Sequence, residues 1–82
     1  MDYQKAYDIV GSDGRVVGFV ERHYQGLPGV ARYRGWKYEK GSIDRLLCMA
    51  DSISQVRNLV RAHNYGVRKL GSSLDKVVRW AQ

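Results

Sequence analysis

The sequence predicts an α+β fold: a three-stranded antiparallel sheet over about residues 6–39, one main helix over about 52–64, and a short C-terminal helix over about 73–81. Three observations carry this. The N-terminal half alternates β-branched and aromatic runs with Gly-containing turns. Residues 52–64 place apolar side chains at helical spacing behind a capping pair. Leu74, Val77, Val78 and Ala81 then repeat that spacing at i, i+3, i+4 and i+7.

The first strand ends in Tyr7, Ile9 and Val10, and Gly11-Ser12-Asp13-Gly14 follows as a turn. Asp-Gly between apolar runs is a strong hairpin signal, because Gly takes the left-handed backbone the turn needs. Val16, Val17, Phe19 and Val20 open the second strand, which runs to about Tyr24. Gln25-Gly26-Leu27-Pro28-Gly29 is a loop holding the one proline. Val30–Glu39 fits a third strand, with Gly35 as a bulge or a point of close backbone approach.

Residues 43–50 are ambiguous. Ile43, Leu46, Leu47 and Ala50 suit a helix capped by Ser42, and the same stretch suits a short buried strand. The helical reading is preferred by a small margin. Ser52 with Gln55 then forms a capping box at the main helix. Ile53, Val56, Leu59, Val60 and His63 make its apolar stripe, Arg57 and Arg61 its polar face, and Asn64-Tyr65-Gly66 its stop. About one further helical turn is left at Val67–Leu70. Ser72 or Ser73 caps the last helix, where Asp75 and Arg79 complement the dipole.

A chain of 82 residues is one domain, 1–82. Its 44% hydrophobic content argues against disorder. The longest apolar run, Leu46–Ala50, is far below the ~20 residues of a membrane span. No charged-then-apolar leader opens the chain, and its one cysteine, Cys48, suits a reducing compartment, so a cytoplasmic protein is expected. Fourteen Lys/Arg against eight Asp/Glu give +6. Residues 1–41 contribute +2 and residues 42–82 contribute +4. That balance attracts polyanions and also keeps a small protein dispersed.

Catalytic constellations are missing from the sequence. His23 and His63 stand forty residues apart, the acids are scattered, and no Cys/His spacing suits a metal. Cys48 lies in the most apolar stretch and reads as a buried structural thiol. No enzyme, cofactor, metal or small-molecule substrate is therefore expected. Binding features are richer. Arg32-Tyr33-Arg34-Gly35-Trp36-Lys37-Tyr38 interleaves cations and aromatics, and strand alternation puts Arg32, Arg34, Trp36 and Tyr38 on one face. Guanidinium groups grip phosphates and rings stack on bases. The competing reading sends Trp36 and Tyr38, or Tyr33, into the core with Arg stems across them, and is preferred for the rings.

A three-stranded sheet followed by a helix resembles the arm-site-binding domains of tyrosine-type integrases and the plant AP2 domains. That resemblance implies DNA contact from Arg32, Arg34, Trp36 and Lys37. Residues 70–80, Leu-Gly-Ser-Ser-Leu-Asp-Lys-Val-Val-Arg-Trp, resemble the turn and recognition helix of phage-repressor-like helix-turn-helix proteins. There Ser73, Lys76 and Arg79 would face the groove.

The function expected from the sequence is a small, non-catalytic nucleic-acid-binding accessory or regulatory protein, with DNA as its first partner. Arg32, Arg34, Trp36, Lys37, Arg57, Arg61, Lys76 and Arg79 are its candidate contacts. The alternative is a small inhibitor or adaptor, of the kind phages and mobile elements encode, that occupies a surface of a host protein complex.

Overall fold

A computed structural model describes residues 3–23, 28–41 and 44–70 of the chain. Five strands and one helix follow in the order β1 (Tyr3–Val10), β2 (Val16–His23), β3 (Tyr33–Lys37), β4 (Arg45–Ala50), α1 (Ile53–Arg61) and β5 (Gly66–Lys69). The strands form one antiparallel sheet, ordered β4-β3-β2-β1-β5. This corrects the three-stranded expectation: the described fold is mostly β, 50% strand, with one helix. Residues 45–50 are strand rather than helix, and Gly66–Lys69, expected to be a helical turn, pairs with β1 as an edge strand. The C-terminal helix expected at 73–81 lies outside the described residues.

The order of strands explains where α1 sits. β4 and β5 are opposite edges of the sheet, so the connection between them must cross a face, and α1 is that crossing. Its start keeps half of the expected capping box: Ser52 Oγ accepts from Gln55 N at 3.2 Å, while Gln55 Oε1 reaches one residue past the cap and accepts from Asp51 N at 2.9 Å. At its end Asn64 takes φ 64°. Tyr65 N donates to Val60 O and Asn64 N to Arg61 O, the paired bonds of a Schellman stop. Only Val56 and Val60 of the helix are buried, while Leu59 is 46% exposed, so the apolar stripe is narrower than its spacing implied.

The core lies between α1 and the sheet. Ile9, Val20, Val56 and Val60 are fully buried, joined by Tyr33, Cys48 and Ala50. Register fixes which side chains reach it: Tyr7 pairs with Val20, Val20 with Gly35, and Gly35 with Cys48. A Cβ on Gly35 would meet Cys48 Sγ at 2.8 Å, so the glycine makes room for the sulfur. The irregularity suspected at Gly35 falls in its partner instead. Gly35 pairs with Cys48 and Trp36 with Leu46, leaving Leu47 as the extra residue of a β-bulge.

Burial pushes the Cys48 thiol pKa up, partly offset by a hydrogen bond with the Gly35 backbone. The nucleophilic thiolate is therefore scarcer at pH 8 than for an ordinary thiol. Ellman's reagent should label the native protein at least roughly tenfold more slowly than the denatured chain. Equal rates would show that Cys48 is not enclosed.

Candidate functional site

The sheet face opposite α1 is covered by no described element. Strand alternation and register send Tyr3, Lys5 and Asp8 of β1 to it, with Phe19 and Glu21 of β2, Arg34 and Trp36 of β3, and Arg68 of β5. Leu46 and Met49 of β4 join them opposite Trp36 and Arg34. The outward choice of Arg34 and Trp36 follows from the inward choice of Tyr33 and Gly35, since a strand alternates faces. Trp36 and Tyr38 are thus not core residues; the ring that fills the core is Tyr33.

Glu21 is the centre of this face. Its Oε1 accepts from Arg34 Nε at 2.7 Å and from Trp36 Nε1 at 2.7 Å, and Arg34 Nη2 lies 2.6 Å from the same oxygen. The pair is largely withdrawn from water, with side chains 32% and 16% exposed, so it holds geometry more firmly than a surface pair. Arg34 also lies over Tyr3, its guanidinium carbon 3.6 Å from the ring centroid. Tyr3 is held in turn: its hydroxyl donates to Ala31 O at 2.7 Å, and the His23 ring meets it edge-on, 4.9 Å between centroids. Tyr3 is therefore occupied, and Arg34 is neutralised.

A second group surrounds Phe19. Its ring and that of Tyr38 lie 5.5 Å apart, tilted by 36°. The Lys5 ammonium stands 5.6 Å and 5.9 Å from the two centroids and donates to Tyr38 Oη at 3.1 Å. That bond raises the Lys5 pKa, so its charge persists at any physiological pH. Between the two groups lies a shallow depression of about 300 Å³, lined by Phe19, Glu21, Arg34, Trp36 and Asp44.

The candidate contacts read from sequence do not converge. Arg34 and Trp36 share the open face. Arg32 is exposed just before β3. Lys37 alternates to the other side and approaches Glu39 at 3.8 Å. Arg57 and Arg61 are exposed on α1, behind the sheet from Trp36. Lys76 and Arg79 lie outside the described residues. Sequence reasoning missed Lys5, Glu21 and Asp44. The available signal was alternation in β2, which sets Phe19 and Glu21 opposite the β-branched Val20.

Among the described residues no group of three or more His, Cys, Asp or Glu is placed to hold a metal ion. None of the described helices is long and apolar enough to cross a membrane. No family model, curated protein or solved structure matches this chain.

Proposed function

We propose that this chain is a non-catalytic nucleic-acid-binding module whose interface is the open face of the sheet. The observation that carries the reading is the row of aromatic rings on that face. Phe19, Trp36 and Tyr38 stand beside Lys5 and Arg34 on a surface that no described element covers, in a chain of net charge +6. Rings of this kind take bases by stacking, and the overall positive charge draws the polyanion in. Arg57 and Arg61, behind the sheet, act in this reading through long-range attraction rather than contact.

Fluorescence anisotropy with short labelled DNA and RNA, at low and at physiological salt, tests the reading. Tyr38→Ala should weaken binding at least roughly fivefold, since one stacked base contributes ~1–3 kcal/mol. The Arg57→Ala, Arg61→Ala pair should mainly flatten the salt dependence. No binding at low salt would overturn it.

A second reading, a protein-binding inhibitor or adaptor, is favoured by one observation. Leu46 and Met49 on the same face are 42% and 55% exposed, and apolar side chains beside Trp, Tyr and Arg are the makeup of a protein hot spot. Under it, Leu46→Ser would abolish capture of the partner while leaving nucleic-acid titrations flat.

A further inference from the structure

Resting on the nucleic-acid reading, we infer that the ligand is a single strand, with one unpaired base seated in the depression between Phe19 and Trp36. The first support is charge. Lys5, Arg34 and Arg68 on the open face are matched by Asp8, Glu21 and Asp44, and these cations are already engaged. Arg34 is held by Glu21, Arg68 lies 3.6 Å from Asp8, and Lys5 donates to Tyr38. Affinity for a duplex comes chiefly from neutralising phosphates, and its bases are already stacked on one another. A face with balanced charge and open rings offers little to that ligand. Unpaired bases present both faces and all their edges to such a surface.

The depression supplies the second support. Its volume, about 300 Å³, is at the lower limit of small-ligand sites, ~300–1,000 Å³. Its lining is two aromatic rings, two carboxylates and one guanidinium. That set suits a neutral, planar group with hydrogen-bond donors on its edge: a ring to stack on and the carboxylate of Asp44 for an exocyclic amine. Among the described residues no ion pair engages Asp44, unlike Glu21. With Glu21 offset by Arg34, the carboxylate of Asp44 leaves the lining net negative, which disfavours a phosphate.

The test compares a 12-nucleotide single strand, as DNA and as RNA, with a 12-base-pair duplex of the same sequence, at physiological salt. Anisotropy gives affinity. In a Trp80→Phe background Trp36 is the one tryptophan, and its emission reports stacking. The expected result is a single strand, DNA or RNA, bound roughly tenfold or more tightly than the duplex, with Trp36 quenched on binding. Asp44→Asn, at an irregular position that leaves the sheet bonding intact, should change the preference among homopolymers of the four bases. Duplex binding as tight as single-strand binding would overturn the inference while leaving the nucleic-acid reading in place. Single-strand binding with unchanged Trp36 emission would equally overturn the seat between Phe19 and Trp36. Absence of binding to all three probes would remove the reading beneath it.

Discussion

Gly18→Ala is expected to lower the melting temperature by roughly 12–24 °C, about 3 kcal/mol for a domain of this size. Gly18 lies in β2 opposite Lys37 of β3, and a Cβ built on it would run into the Trp36 carbonyl oxygen, with Lys37 Cα 3.0 Å away. Both obstacles are backbone. A flexible side chain can turn aside, but here β3 must part from β2, the central strand of the sheet. Val20 and Gly35 sit two residues along the same pairing, so separation there also opens the core. Total stability for 82 residues is on the order of 4–12 kcal/mol, so the loss is a large share. Gly66→Ala is the matched control, because its added Cβ would meet Val10 Cγ2 at an ordinary 3.7 Å. Thermal melts followed by circular dichroism check both. A Gly18→Ala melt within a few degrees of the parent would show that the close approach of β2 and β3 is not as described.

How much of this was legible in the sequence depends on whether the deciding contact was local. The capping pair Ser52 and Gln55, the left-handed stop at Asn64 and the Asp13-Gly14 turn are settled within five residues. Sequence places them well: Gly14 has φ 83°, and Asp13 Oδ1 accepts from Arg15 N at 3.0 Å. Arg45–Ala50 was ambiguous because a short apolar run suits either state. What makes it a strand is a partner elsewhere, β3, whose Gly35 leaves space for Cys48. Gly66–Lys69 carries too few residues for periodicity to register, and its extended state follows from the free edge of β1. The same distinction governs the candidate site. Alternation alone puts Arg34 and Trp36 side by side. That Glu21 neutralises the arginine depends on the register between β2 and β3, which brings residues thirteen and fifteen apart into contact. An arginine count therefore overstated the phosphate-gripping power of this strand.

Glu21 is also where stability and binding should part company. Glu21→Ala removes the acceptor shared by Arg34 and Trp36, leaving a half-buried guanidinium without a counter-ion and an indole N–H without a partner. Charge-assisted hydrogen bonds contribute ~1.5–3 kcal/mol each, and water can reach part of this pair, so a loss of about 2 kcal/mol is expected. That corresponds to a drop of roughly 8–16 °C in Tm. Glu21→Gln separates the two roles. The amide oxygen can still accept from Trp36 Nε1, so the ring stays near its place and the stability loss falls to about 1 kcal/mol. The Arg34 charge, however, is no longer cancelled. If a nucleic acid lies on this face, the freed guanidinium gains a phosphate, and the slope of log K against log salt should steepen by ~0.7 for a single strand or ~0.9 for a duplex. The variant would then bind more tightly at low salt although it is less stable. A steeper slope in Glu21→Gln that disappears in the Glu21→Gln, Arg34→Gln double variant would locate the new contact at Arg34. An unchanged slope, with the fold intact, would mean that no phosphate comes near Arg34, and any strand on this face would have to place a base rather than its backbone beside that side chain.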